Sequence, residues 1–251
     1  MYQFFVNEDA IRGLDAVITG SDVNHIKNVL RMKVGDEIAL SNGADGKEYH
    51  VGITEFKEDA VICKVRFVKE DGAELPSRIY LFQGLPKADK MELIIQKAVE
   101  LGAYEVVPVA MERCVVKLDE KKAKKKQERW QAIAEAAAKQ SKRGIIPKVT
   151  SVMSYREALN YAEKQADIRL LPYELAKGMG ETRKILEAIT PGESIAFFVG
   201  PEGGFETEEV EMAVENGFRT ITLGKRILRT ETAGMTMLSI LGYLLEQEEK
   251  S

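Results

Sequence analysis

The sequence predicts an α/β domain preceded by a small β-rich one. The first 70 or so of the 251 residues show short β-rich runs split by turn signals and little helical periodicity. From Ile79 onward, apolar strands alternate with amphipathic helices, the pattern of a mostly parallel sheet covered by helices. Hydrophobic residues make up 45% and charged residues 30%, which excludes a mainly disordered or collagen-like chain.

In the first region the expected strands are 2–6, 16–19, 37–40, 49–56 and 60–68, with one helical piece near 22–31. Such spacing fits a small barrel or sandwich. The polar, Gly- and Pro-bearing stretch 69–77 reads as a linker, so domains are expected at 1–72 and 73–251. In the second region 79–85 is an apolar strand, and Asp89 is placed to cap a helix with Met91, Ile94, Ile95, Ala98 and Val99 on one face. Gly102 stops it. Further strands are expected at 106–109, 168–171, 195–199 and 218–223. Helices are expected at 120–142, 155–164 behind a Ser154/Glu157 capping box, 181–189, from a Thr207 cap to Asn216-Gly217, and 233–247. The last helix carries apolar residues around too much of its circumference for one buried stripe, which suggests pairing with a second copy.

No window approaches the roughly 18 apolar residues of a membrane span. The N-terminus lacks the charged start and apolar core of a signal peptide, so a cytoplasmic location is expected. Cys63 and Cys114 form no CxxC motif and only His25 and His50 are present, so neither a disulfide framework nor a metal site is expected. Net charge is −4, yet residues 117–148 hold eleven Lys and Arg against four acids. That segment is either a phosphate footprint or a solvated helix face. Trp130 within it reads as core more readily than as a base-stacking platform.

Two loops at strand ends stand out. Gly200-Pro201-Glu202-Gly203-Gly204 follows an apolar strand and precedes a helix. Its glycines permit sharp turns and close approach to a ligand, but neither the GxGxxG spacing nor the Lys-Ser/Thr of a P-loop is present. A nucleotide-phosphate enzyme is therefore disfavoured. The second loop, LGKRILRTETAGM from Leu223, puts the apolar pair Ile227 and Leu228 beside Arg226, Arg229, Thr230, Glu231 and Thr232. Apolar walls with a few polar groups suit a small ligand. Each loop also admits a plain structural reading as a connection.

GPEGG followed about twenty residues later by LGxRILRTETA resembles the RsmE-type RNA methyltransferases of the SPOUT superfamily. The resemblance runs along the whole chain. It includes the His25–Arg31 segment, Lys87 and Lys90, Gln96-Lys97, Glu100-Leu101-Gly102, Arg113, the Trp130…Glu135–Ser141…Arg143 segment and Leu170–Glu174. It implies a PUA-like N-terminal β-barrel that binds RNA and a SPOUT α/β domain whose last third forms a trefoil knot. It implies a homodimer that uses S-adenosylmethionine to methylate N3 of uridine 1498 in the 16S rRNA of the small ribosomal subunit. The cofactor would meet Leu171, Pro172, Val199, Gly200, Leu223, Gly224, Ile227, Leu228, Thr232 and Ala233. RNA would meet His25, Asn28 and Arg31 of the barrel, Lys87, Lys90 and Arg113, and the stretch Lys139, Gln140, Lys142 and Arg143.

Methyl transfer to uracil N3 must remove that nitrogen's proton. Arg229 cannot serve as a base, since its pKa stays above about 12, but it can stabilise charge on O2 or O4. Glu231 can accept the proton or orient Arg229; an ion pair within the loop is the structural alternative. A SPOUT enzyme with another acceptor, such as a ribose 2′-oxygen, and a non-enzymatic RNA-binding protein are the competing readings.

Overall fold

The computed structural model describes residues 1–70, 73–176 and 178–246. It divides into two compact units: Met1–Glu74 with Ala138–Ile146, and Leu75–Ala137 with the chain from Pro147 onward. The expected single cut at 72/73 thus lies two residues before the end of the first segment, and the first unit also takes 138–146.

The first unit is built from β1 (Gln3–Phe5), β2 (Ile11–Arg12), β3 (Asp15–Thr19), β4 (Glu37–Ser41), β5 (Glu48–Lys57) and β6 (Ala60–Lys69). They form one sheet in the order β1-β4-β5-β6-β3-β2, with only β1 and β4 parallel. Among the described residues no ladder joins β1 to β2, so the strands expected to make a barrel form an open sheet by their hydrogen bonds. Period-two alternation puts Ala16, Ile18, Ile38, Leu40, Val51, Ile53, Val61 and Cys63 on one face. Val23 and Ile26 from the short helix α1 (Ser21–Asn24) and the π-turn after it (His25–Val29) cover that face.

The segment 138–146 is fastened to this unit by a buried ion pair. Arg143 is 3% exposed; its Nε lies 2.8 and 2.9 Å from the Glu74 carboxylate oxygens and its Nη2 2.5 Å from Oε2. Glu74 Oε1 also accepts the N–H groups of Gly144 and Ile145. Gly144 passes so close to the 42–46 loop that a Cβ would stand 2.6 Å from the Gly46 carbonyl oxygen.

The second unit opens with β7 (Ile79–Gly84), α2 (Lys90–Glu100), β8 (Glu105–Ala110), α3 (Glu120–Gln140), β9 (Lys148–Val149) and β10 (Met153–Ser154). The last residues of α3 belong to the first unit. There follow α4 (Tyr155–Gln165), β11 (Ile168–Pro172), α5 (Met179–Glu187), β12 (Ile195–Val199), α6 (Thr207–Glu215), β13 (Arg219–Ile221) and α7 (Thr230–Leu245). The sheet is parallel throughout, in the order β10-β8-β7-β12-β11-β13 with β9 also on β8. β7 and β12 are buried at every position, as central parallel strands are when helices cover both faces.

Several helix ends differ from expectation. Ser154 and Glu157 form the expected capping box, and Gly102 stops α2 at φ +90. Asp89 occupies the N-cap of α2 but its side chain makes no capping bond. Thr207 is the first helical residue of α6, not its cap; Glu206 stands before it and donates its N–H to Glu209 Oε2 at 2.9 Å. The long helix α3 ends at Gln140, and Lys142 turns the chain away with φ +57. α7 begins at Thr230, three residues before the expected Ala233, because tertiary bonds hold the Thr230 hydroxyl. Its expected end, Gln247, lies outside the described residues.

Candidate active site

Because β12 inserts between β7 and β11, with β13 outside β11, the carboxyl ends of β12, β11 and β13 lie in a row. Ligands in open α/β sheets sit at such ends, where strand order reverses. A cavity of about 360 Å³ lies there, within the ordinary range for small-molecule sites. Pro172, Tyr173 and Glu174 contribute from β11. Val199, Gly200, Pro201, Glu202, Gly204 and Phe205 contribute from β12, and residues 222–230 with Ala233 from the stretch between β13 and α7. Lys90 of α2 completes the lining.

The GPEGG glycines have distinct tasks. A Cβ on Gly200 would stand 3.1 Å from the Gly204 backbone and 3.3 Å from the Phe205 ring. One on Gly203 would stand 2.9 Å from Arg113 Cβ. Gly204 has φ +70, a left-handed conformation that suits glycine.

Charged groups clasp this loop from outside. Arg113 grips Glu206 with Nε and Nη2 at 2.8 and 2.9 Å and donates from Nη1 to the Gly203 carbonyl at 2.9 Å. That bidentate contact holds the Glu206 carboxyl below its ordinary range. Arg113, expected to meet RNA, therefore spends its guanidinium on the loop. Glu202 accepts the Lys87 backbone N–H at 3.2 and 3.3 Å and the Lys90 ammonium at 2.9 Å. Lys90 Nζ also stands 3.5 Å from Glu231 Oε2, a buried oxygen with no hydrogen-bond partner. Behind the cavity, Gln83 Nε2 donates to Thr230 Oγ1 at 2.8 Å, and Thr230 donates to the Gly200 carbonyl at 2.7 Å.

The residues expected around a cofactor divide as follows. Pro172, Val199, Gly200, Leu223, Gly224, Ile227, Leu228 and Ala233 line the cavity, with Ile227 86% exposed at its edge. Leu171 does not: it is fully buried in β11, opposite Thr220 of β13. Thr232 is exposed on the first turn of α7 and also lies outside the lining. Arg229 lines the cavity as the exposed N-cap of α7, and Glu231 follows in the first turn. Sequence reasoning missed Phe205, Thr222 and Gln83; it named Thr230 among the polar groups of the second loop, and Tyr173 and Glu174 only within the Leu170–Glu174 segment. For Gln83 the signal was present, a polar side chain inside a strand otherwise apolar.

Of the residues expected to meet RNA, His25, Asn28 and Arg31 are exposed on the first unit, as are Lys139, Gln140 and Lys142. The Lys87 side chain is exposed too. Arg143 is not available to phosphates: the Glu74 pair buries it. Lys90 faces the cavity, ion-paired as described. Trp130 is core, 2% exposed, with the Lys126 ammonium 5.8 Å from its ring centre. Among the described residues there is no group of three or more potential metal ligands and no helix long and apolar enough to cross a membrane.

A ligand cavity at the carboxyl ends of a parallel sheet agrees with a family model, described as an RNA methyltransferase domain, that matches residues 73–242. Fold and site together define an RNA methyltransferase. A second model, an RNA methyltransferase PUA domain, matches residues 18–66. The chain is 43% identical over 232 residues to the ribosomal RNA small subunit methyltransferase E of Bacillus subtilis (strain 168), covering 91% of this chain and 90% of that one. It is 35% identical to the protein of the same name from Mesomycoplasma hyopneumoniae (strain 232), covering 95% and 98%. The crystal structure of the Neisseria gonorrhoeae ribosomal RNA small subunit methyltransferase E bound to S-adenosyl methionine superposes with a TM-score of 0.80 at 34% identity, over 97% of this chain and 98% of that one. The chain belongs to the ribosomal RNA small subunit methyltransferase E family.

Proposed function

We propose that this protein methylates N3 of uridine 1498 in 16S rRNA, with S-adenosylmethionine as methyl donor. The observation that carries the reading is the convergence of the GPEGG and LGKRILRTETA loops on one cavity. The residues present fit that cofactor. Val199, Leu223, Ile227 and Leu228 offer apolar walls for a flat ring, Gly200 lines the cavity without a side chain of its own, and charged groups stand nearby. When bound, the cofactor supplies an activated methyl group for in-line displacement.

The chain's own residues do the rest. The cavity walls fix the direction of approach, and orientation alone lowers such barriers by up to about 7–11 kcal/mol. Arg229 stabilises the negative charge that grows on a uracil carbonyl oxygen as N3 loses its proton. Glu231 takes that proton. On the first unit His25, Asn28 and Arg31, with Lys139, Gln140 and Lys142, hold the RNA. The last third of the chain is a trefoil knot in this reading, a topology almost absent from other proteins. The resemblance of that region's sequence to the family supports it.

The working protein is a homodimer in the cytoplasm, acting on the small ribosomal subunit. An apolar strip on α7, formed by Met235, Ile240, Tyr243 and Leu244, supports the dimer; Tyr243 is 86% exposed. Nucleoside analysis of digested 16S rRNA from a deletion strain tests the acceptor: loss of 3-methyluridine is expected, and loss of a ribose 2′-O-methyl group instead overturns it. Arg229→Ala is expected to keep RNA affinity and lose about 100- to 1000-fold in single-turnover rate. Lost RNA affinity with a surviving rate makes Arg229 a binding residue.

A further inference from the structure

The loop between β7 and α2 breaks several local rules at once. Ala88 adopts φ +54, a left-handed conformation that non-glycine residues avoid outside places where the surroundings force it. Asp89 sits at the N-cap without capping. Lys90 puts a cation at the first position of a helix, against the positive end of its dipole. Such violations mark sites where the whole fold imposes a position. Here the position is that of the Lys90 ammonium. It stands 2.9 Å from Glu202 of the GPEGG loop and 3.5 Å from Glu231 of the α7 loop, which are far apart in sequence. The hydrogen bond that Lys90 donates to Glu202 raises its pKa against the opposing effect of burial, and the charges of Glu202 and Glu231 raise it further, so it stays charged. Lys90 thus ties two cavity loops together. Glu231 Oε2 is buried and faces the Lys90 ammonium.

We propose that Lys90 is a positioning residue for methyl transfer: pinned by Glu202, it holds the Glu231 carboxylate in place to receive the uracil N3 proton. This rests on the reading of Glu231 given above. In the step, the N3–H bond breaks and its proton passes to the Glu231 carboxylate. The N3 electron pair forms the new N–CH3 bond as the S–CH3 bond breaks, and sulfur keeps that bonding pair. The arrangement differs from the phosphate contact expected for Lys90 from sequence. An ammonium shared by two carboxylates is neutralised locally and is a poor phosphate anchor.

The test uses the full-length protein and small ribosomal subunits. With S-adenosylmethionine at saturation, Lys90→Met is expected to lower the single-turnover rate about 100-fold at neutral pH. The deficit shrinks as pH rises toward values at which uracil N3 ionises unaided, because a base is then no longer needed. Lys90→Arg restores most of the rate. Lys90→Met adds nothing in a Glu231→Gln background, since residues acting as one unit are not additive. An unchanged rate in Lys90→Met, a deficit equal at all pH values, or a lowered salt slope of RNA binding by about 0.7–0.9 overturns the positioning role alone. A wild-type rate in Glu231→Gln overturns the proton acceptor and the pin together.

Discussion

The Thr230 hydroxyl donates to the Gly200 carbonyl at 2.7 Å and accepts from Gln83 at 2.8 Å, which joins the end of β7, the loop after β12 and the start of α7 by two buried bonds. The three segments come from distant parts of the sequence, yet each helps to shape the cavity. Gln83 is fully buried and Thr230 nearly so, so loss of this hydroxyl leaves polar partners unsatisfied in the interior.

Thr230→Val is therefore expected to destabilise the protein by about 1–3 kcal/mol in urea unfolding. It also weakens S-adenosylmethionine binding, because the Gly200 backbone loses its tether. Thr230→Ser restores both. Equal cofactor affinity in Thr230→Val and wild type refutes the link between tether and cavity.

Gly200→Val is expected to abolish cofactor binding in calorimetry without RNA. The added atoms meet the Gly204 backbone and the Phe205 ring, which line the cavity with Gly200, and force that wall to shift. Retention of wild-type affinity removes this loop from the cofactor site.

Arg143 and its neighbours should separate cleanly. Glu74→Ala or Arg143→Ala breaks the buried pair and is expected to cost about 3–5 kcal/mol of stability. Replacing exposed Lys139 and Lys142 by Ala leaves stability nearly unchanged. It lowers the slope of log affinity for RNA against log salt by about 0.7–0.9 for each lost phosphate contact. An unchanged slope shows that these lysines are a solvated face.

Acid should weaken the fold in a defined window. The Arg113 guanidinium holds Glu206 below its ordinary value of 4.5. Asp119, held by the Lys122 amide and ammonium, and Asp167, held by Ser194, are likewise depressed. A carboxylate with a depressed folded pKa contributes stability above its unfolded pKa, and that contribution is lost as pH falls through the folded value. Urea midpoints should thus be flat from pH 7 to about pH 5 and fall below it, less steeply in Glu206→Gln. Burial raises Glu105, which works in the opposite sense and offsets part of the fall.

Light scattering at micromolar concentration should give twice the chain mass, and Tyr243→Asp should halve it by placing a charge in the apolar strip of α7. A monomer with full activity refutes the dimer.

The alternation of strands and helices, most element positions, the capping box at Ser154 and the two cavity loops were legible because each depends on neighbours in sequence. Hydrophobic period, turn chemistry and glycine freedom are local properties, and the family motifs were read from the same local strings. The sequence by itself determined that Gly200, Ile227, Leu228 and Arg229 stand on connections after apolar strands. Tertiary structure alone decided which cations were free. Arg143, Arg113 and Lys90 look alike in the sequence, but each is taken by a carboxylate distant in sequence: Glu74, Glu206, and Glu202 with Glu231. It also moved the start of α7 to Thr230 and removed Leu171 from the cavity wall. The reason is that an ion pair or a buried hydroxyl bond depends on which strand ends lie side by side. That order, β7-β12-β11-β13, is set by packing of the whole sheet and by no single stretch of chain.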